Sequence, residues 1–535
     1  MAHQHTGVWP SGKAADFGSA IPGSNPGTPA PEYSLGHSLR GATAIMRGLA
    51  ALVLAAGKGT RMRSRLPKVL HPLAGRPMLE HALAAVEGLS PTAEAAAPGE
   101  ASDDPAPIVV VVGPDADADL IRSVFAGRCL FATQQEQLGT ADAVLAAQAV
   151  MASLSPAPTH ILILPGDGPL LTTYTLRSLL EAAQQSASPL AFLTTQEPNP
   201  TGYGRVVRDG RGQVAAIIEE KNATPQQRAI TEINTSIYCI KADWLWEHLP
   251  HVQRNPVSGE YYLVDLVEMA ARQGRTIPTV SAPLEEVMGV NDRVQLAQAE
   301  SVMRRRILER LMLSGVTITD PASTFIDASV QIGQDTVIRP FTTISGSTTI
   351  GRDCVIGPQS VIRDSQIGDT CEIIGSWLEE ATLDAEVHVG PMSHLRPGAH
   401  LASHVRLGNY AEVKKSFIGA GTQMHHFSYM GDATVGENVN IAAGTITCNY
   451  DGTPIKKKTF IEDEAFIGSD TLFVAPVRMG RGAATGAGAV VNHDVPPDTL
   501  VVGMPARAIR RVRTTKGETA QPTSPDTPER GAGEE

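Results

Sequence analysis

Ile332, Ile338, Ile344, Ile350, Ile356 and Ile362 stand six residues apart, and Ile367 and Ile373 continue the series after one slip. A period of six fits neither the helical repeat of roughly 3.6 nor the two-residue alternation of a plain strand. It is the signature of a parallel β-helix, a coil of three short faces with one aliphatic side chain pointing inward from each. Glycine follows several rungs (Gly333, Gly351, Gly357, Gly368), and later rungs repeat the pair as Leu407-Gly408, Ile418-Gly419, Val435-Gly436, Ile467-Gly468 and Met479-Gly480. Composition agrees with a narrow coil: 50 Gly and 38 Pro in 535 residues, with aromatics at only 4%. Such a bore takes glycine at its corners and has no room for many rings.

The first half follows a different rule. Apolar runs at Leu49–Leu54, Ile108–Val112 and His160–Leu164 read as buried strands. Amphipathic stretches at Met78–Leu89, Ala118–Val124 and Thr140–Met151 read as helices between them. That rhythm gives a mostly parallel sheet, whose ligands gather beyond the carboxyl ends of the strands. At one such end lies Leu54-Ala55-Ala56-Gly57-Lys58-Gly59-Thr60-Arg61-Met62. Its glycines let backbone approach a phosphate, and Lys58, Arg61 and the following Lys68 supply charge for a triphosphate. It is not a Walker A loop, because Leu52 stands where that motif needs glycine. Asp167, after the strand ending at Leu164, is placed as a Mg²⁺ ligand, since a hard cation needs few protein oxygens.

Further motifs follow in order: Gln134-Gln-Glu-Gln-Leu-Gly139-Thr140, Gly202-Tyr203-Gly204-Arg205, Ile218-Glu219-Glu220-Lys221, Glu232-Ile233-Asn234-Thr235 and Gly289-Val290-Asn291-Asp292-Arg293. The set resembles sugar-1-phosphate nucleotidylyltransferases. Ser258-Gly259-Glu260-Tyr261-Tyr262-Leu263-Val264-Asp265 narrows the resemblance to the bacterial N-acetylglucosamine-1-phosphate uridylyltransferases. It implies that Leu54, Ala55, Ala56, Gly57, Lys58, Arg61, Lys68, Gln134, Gly139 and Thr140 bind UTP, the last three at the uracil. It also implies that Gly204, Glu219 and Asn234 hold the amino sugar, and that Asn291 joins Asp167 on the metal. Two positions depart from the family pattern: Gly168 replaces an aliphatic residue, and Ser236 a glycine.

Four polar segments interrupt the coil period: His394–Gly398, Asn409–Lys415, His425–Asp432 and Ala443–Gly452. They resemble the acetyltransferase half of the same bifunctional family, so that together the two resemblances cover about Leu49 to Pro505. Acetyl transfer to glucosamine-1-phosphate needs a neutral amine and a base, for which histidine is the natural choice. The resemblance selects His426, with Glu412 expected to orient its ring. It gives Arg396, Lys414, Tyr429 and Asn440 to the sugar phosphate, and Ala443, Asn449, Tyr450, Ser469 and Ala487 to acetyl-CoA. Met504 stands near where some relatives carry a coenzyme-binding arginine. Mg²⁺ is the implied cofactor, with UTP and acetyl-CoA as co-substrates, and a homotrimer with sites between neighbouring coils is the implied assembly.

The expected architecture is an α/β Rossmann-like nucleotidylyltransferase domain over 46–293, a linking helix over 294–315, and a left-handed parallel β-helix of hexapeptide repeats over 316–510. Arg304, Arg305 and Arg306 in the helix read as a solvated face. Residues 1–45 and 511–535 read as tails and 91–107 as an inserted loop. Gly23-Ser24-Asn25-Pro26 can be encoded by a tRNA T-arm sequence, which favours a translation start at Met46. The net charge of −12 argues against a nucleic-acid binder. Five scattered cysteines without metal-type spacing fit a reducing, cytoplasmic setting, and no run reaches the ~20 apolar residues of a membrane span. The competing reading is a single-function nucleotidylyltransferase whose coil serves regulation or assembly.

Overall fold

The computed structural model describes residues 48–90 and 105–511. The extension over 1–45, most of the 91–107 insertion and all but the first residue of the 511–535 tail lie outside the described residues.

Nine strands build the sheet of the first half: β1 (Leu49–Leu54), β2 (Ile108–Val112), β3 (Leu130–Thr133), β4 (His160–Pro165), β5 (Leu190–Gln196), β6 (Arg205–Arg208), β7 (Val214–Ile218), β8 (Glu232–Lys241) and β9 (Thr279–Ser281). The main order is β9-β5-β8-β4-β1-β2-β3, with β6 and β7 a hairpin attached to β8. The sheet is mixed, because β8 runs antiparallel to both β4 and β5. β1, β2 and β4 read as unbroken apolar runs because both faces are covered. Ala51, Val53, Val110 and Leu162 enter one core, while Ala50, Leu52, Val109 and Ile161 enter the other. The helix expected over Thr140–Met151 is broken at Ala147 into Thr140–Ala146 and Gln148–Ala152.

The chain moves from β1 outward to β2 and β3, then returns to lay β4 on the other side of β1. Leu54 and Pro165 thus stand side by side at the carboxyl end, where the connections part in opposite directions. This switch point opens a crevice for a ligand.

The coil is three parallel sheets of twelve, ten and nine short strands, here called its first, second and third faces; only the last strand of the first face turns antiparallel. The six-residue series resolves into ladders: Ile338 stacks on Ile356 and Ile373, Ile344 on Ile362 and Leu378, Ile350 on Ile367 and Leu383. Each of these isoleucines is buried, and full burial of such a side chain is worth about 1.5–3 kcal/mol.

Glycine turns some corners, as Gly346, Gly357, Gly390 and Gly444 do at φ 68–113°, and elsewhere it serves another need. Many corners are turned by left-handed residues such as Asp335, Phe341, Asp353 and Gln359. The glycine after a rung is needed for close approach: a Cβ on Gly408 would come within 2.0 Å of the His425 carbonyl oxygen in the next coil.

A helix over Arg293–Leu313 joins the halves. Asp292 caps it, accepting hydrogen bonds from the Val294 and Gln295 amides. It ends in a Schellman motif, with the Val316 amide on the Leu311 carbonyl, the Gly315 amide on the Met312 carbonyl, and Gly315 at φ 99°. Its Ala299, Ile307, Leu308 and Leu311 pack into a core that runs from Leu73, Met78 and Leu170 of the first half into the coil.

The three arginines are clasps rather than a merely solvated face. Arg306 donates to the Leu170 carbonyl at 2.6 Å, Arg305 pairs with Glu285 at 2.6 Å, and the Arg304 guanidinium lies 4.4 Å from the centre of the Phe325 ring. The run has no period of its own, so only packing reveals what the arginines meet, Glu285 taking Arg305 and, at 3.7 Å, Arg306 as well.

Candidate active sites

At the switch point, loops from four parts of the chain converge. The Lys68 ammonium lies against the Asp167 carboxylate and donates to Asn291 Oδ1 at 3.3 Å. Arg61 donates to the same Asn291 oxygen at 2.8 Å, and the Val290 amide bonds the Asp167 carbonyl, fixing the two metal candidates beside each other. Ala55, Ala56, Gly57, Lys58 and Lys68 line one crevice with Gln137, whose amide donates to the Ala56 carbonyl. Lys58 projects into solvent, and Leu54 closes the strand below.

Gln134 is buried, its amide nitrogen held by the Gly139 carbonyl at 3.1 Å and Asp142 at 2.8 Å. Among the described residues its side-chain oxygen has no hydrogen-bond donor. Gly139, at φ 112°, has a backbone reason to be glycine: a Cβ there would lie 2.5 Å from the Tyr261 carbonyl oxygen. The Thr140 hydroxyl accepts from the Leu263 amide at 3.0 Å. Gly139 and Thr140 therefore clasp the 258–265 segment onto the nucleotide end of the sheet, an arrangement no spacing in the sequence announces.

The sugar-side residues also meet. Asn234 donates its amide proton to the Gly204 carbonyl at 2.9 Å, and a Cβ on Gly204 would stand 3.2 Å from Glu219 Oε1. Burial raises the Glu219 carboxyl above the ordinary range, helped by the charges of Glu260 and Asp265. Burial also lifts Asp265 to about 6, with Glu268 adding to the shift. The sequence singled out Glu260 and Asp265 as motif letters but gave them no role. Tyr203 lies in the same region: burial, Glu197 and Asp167 together raise its phenol. Ser236, the departure from glycine, sits at φ 62° in the β-bulge between Asn234 and Tyr238. A Cβ on Gly168 would meet only Pro165, at 3.7 Å, so nothing there demands glycine.

On the coil, register does the assembling. Tyr429, Ile446, Leu472 and Val490 stack in successive coils. His426, Ala443, Ser469 and Ala487, each three residues earlier, therefore form one column along the corner between the first and second faces. Arg396, Glu412, Lys414 and Tyr429 lie on or beside the second face, where Glu412 stacks between His394 and Tyr429. Beyond them the Asn449 amide donates to Asp432 Oδ2 at 2.6 Å and to the Tyr429 hydroxyl at 3.5 Å. Asp432 was unassigned in the sequence, and only stacking shows that it steers Asn449.

The expectation for Glu412 is corrected. Its carboxylate accepts from Arg396 at 2.8 Å, and the exposed His426 ring has no hydrogen bond among the described residues. A guanidinium stacked one coil away offers the carboxylate a stronger, charge-assisted partner. Asn440 lies on the first face, around the corner from Tyr429. Tyr450 is exposed, with the Lys456 ammonium 4.3 Å from its ring centre.

Comparison with known proteins places both halves. The MobA-like NTP transferase domain matches residues 51–233, and the bacterial transferase hexapeptide (six repeats) matches 329–364. The "Bifunctional protein GlmU" of Pelobacter propionicus is 46% identical over 476 residues, covering 88% of this chain and 100% of that protein. Its namesake in Syntrophomonas wolfei is 45% identical, covering 85% of this chain and 97% of the other. That of Geotalea uraniireducens is 44% identical, covering 85% and 96%.

Proposed function

The chain belongs to the family of bifunctional GlmU proteins, and from that premise we propose how its two sites divide the work of making UDP-N-acetylglucosamine, a cell-wall precursor. The coil acetylates glucosamine-1-phosphate with acetyl-CoA. The sheet half joins the product to UMP from UTP and releases pyrophosphate. The observation that carries this reading is that one chain supplies charged groups suited to both reactions: Arg61, Lys68, Asp167 and Asn291 meet at the switch point, and Arg396, Lys414 and Tyr429 lie on or beside the second face of the coil, near the His426 column.

In the uridylyl step a phosphate oxygen of the sugar attacks the α-phosphorus of UTP, and the bond to the β-phosphate breaks. No protein nucleophile is required; positioning and charge neutralisation supply the catalysis. Gly57 and its neighbours offer backbone amides, Lys58, Arg61 and Lys68 offer charge, and Gln134 offers its free oxygen to the uracil. Gly204, Glu219 and Asn234 hold the sugar. Asp167 and Asn291 fit Mg²⁺: their hard oxygens already gather around a cation, the Lys68 ammonium. Among the described residues no cluster of three or more His, Cys, Asp or Glu side chains offers a fuller cage, as suits an ion that keeps water and phosphate ligands. When bound, Mg²⁺ neutralises charge on the phosphates.

In the acetyl step the sugar amine attacks the thioester carbonyl, His426 takes the amine proton, and the thiolate of CoA leaves. Arg396 and Lys414 face the sugar phosphate; Tyr429 and Asn440 contact the sugar. Ala443, Asn449, Tyr450, Ser469 and Ala487 lie along the acetyl-CoA. Asn440 and Tyr429 sit on different faces, so a site between neighbouring coils suits them, and we assign a homotrimer. Support comes from an apolar run at the same corner: Met392, Tyr410 and Phe427, in successive coils, are 53–66% exposed. The partners are then small molecules and two further copies of the chain, not nucleic acid or membrane. No helix among the described residues is long and apolar enough to cross a membrane, and the free cysteines support a cytoplasmic location.

The test is a paired assay on one preparation: acetyl-CoA-dependent N-acetylation, and UTP- and Mg²⁺-dependent pyrophosphate release. Absence of the first with retention of the second would favour a coil that serves only assembly or regulation.

A further inference from the structure

The cation at Asp167 and Asn291 belongs to the protein itself. Lys68 and Asp167 have side chains only 14% and 19% exposed, so their ion pair is partly shielded from water. The same ammonium reaches Asn291 Oδ1 at 3.3 Å, and Arg61 caps that oxygen from outside. Two cations a few ångströms apart in a partly buried cleft repel each other, because little water screens them there. A divalent ion on the same oxygens therefore competes with the ammonium for Asp167 and Asn291.

The backbone of Lys68 is held in place, and its ammonium is tethered by side-chain contacts to Asp167 and Asn291 alone among the described residues. Lys68–Leu70 is a short 3₁₀ turn anchored by buried Val69 and Leu70. A Cβ on Gly59, at φ 58°, would lie 2.7 Å from the Lys68 Cβ, so the phosphate loop is shaped around this stem. The alternative seat for the ammonium is the triphosphate that the same loop cradles.

We propose that Lys68 is the resident counter-cation of the metal site, pairing with Asp167 and Asn291 and competing with the divalent ion until nucleotide phosphate draws the ammonium away. Metal and nucleotide then bind cooperatively, and the enzyme avoids holding a bare metal. This rests on the assignment of Asp167 and Asn291 as the metal pair.

The experiment is Mn²⁺ binding by the full-length protein, followed by electron paramagnetic resonance with and without UTP, in wild type, Lys68→Met, Lys68→Gln and Asp167→Asn. Without UTP, both Lys68 variants are expected to bind Mn²⁺ about tenfold or more tightly than wild type. UTP should enhance Mn²⁺ binding strongly in wild type and little in those variants, with circular dichroism verifying their fold. Equal or weaker Mn²⁺ binding by both folded variants, with Asp167→Asn still abolishing it, overturns the proposal while leaving the metal assignment standing. Mn²⁺ binding unaffected by Asp167→Asn overturns both.

Discussion

The two halves assemble their sites by opposite means. On the coil, His426, Ala443, Ser469 and Ala487 share a corner because their sequence separations match the lengths of successive coils. In the sheet half, Arg61, Lys68, Asp167 and Asn291 lie as much as 230 positions apart yet share one oxygen-rich cluster. A repeat fixes neighbours by counting. An open sheet fixes them by the order in which strands are laid down, which counting does not reveal.

The sharpest way to break this comparison is chemical. His426→Ala is expected to lower acetyl transfer by about 10²–10⁴-fold and leave uridylyl transfer intact, while Asp167→Ala does the reverse. Steady-state assays of both reactions in each folded variant decide it. Loss of both activities in either variant would mean that the halves are not independent.

Next in size come two glycines that hold opposite sites by close contact. Gly408→Ala pushes a methyl into the carbonyl of His425, and Gly139→Ala pushes one into Tyr261. Each should cost about 2–4 kcal/mol in urea unfolding, through strain and overpacking. Gly408→Ala should depress acetylation and Gly139→Ala uridylyl transfer, each before the other activity falls.

A smaller effect is electrostatic and confined to the sheet half. The folded state raises Asp265 from 3.8 to about 6, so it holds that proton more tightly than the unfolded chain does. The penalty for ionising Asp265 is absent below about pH 4, grows as pH rises, and is complete above about pH 6. Because the side chain is only half-buried, solvent screening reduces the expected cost to about 1 kcal/mol. Urea titrations from pH 4 to 7 should show wild type losing that much more stability than Asp265→Asn.

The smallest concerns Ser236. An L-residue in the left-handed region costs about 1–2 kcal/mol, so Ser236→Gly should recover about 1 kcal/mol after the glycine's greater unfolded entropy is counted. Thermal or urea melts measure it; no gain would mean that the hydroxyl contributes an equal stabilisation.

Much of the coil was legible because its physics is local. Every third isoleucine of the series joins the same ladder, and the interruptions name the places where polar groups leave the repeat. Less was legible at Glu412, where the residue type suited a histidine partner but stacking gave it Arg396. Arg304, Arg305 and Arg306 were unreadable for a similar reason: one short run meets an aromatic ring, a carboxylate and a backbone carbonyl on three different elements.

The sequence by itself determined the aliphatic core of the coil, the apolar strands of the sheet, and the residue types available for phosphate, metal, sugar and base, since burial and chemistry follow from composition and period. Tertiary structure decided which of those side chains face one another. It set Lys68 on Asp167, closed Gly139 over Tyr261, turned Asp432 toward Asn449 and locked the helix to both halves, because those contacts depend on strand order and coil stacking that join distant parts of the chain.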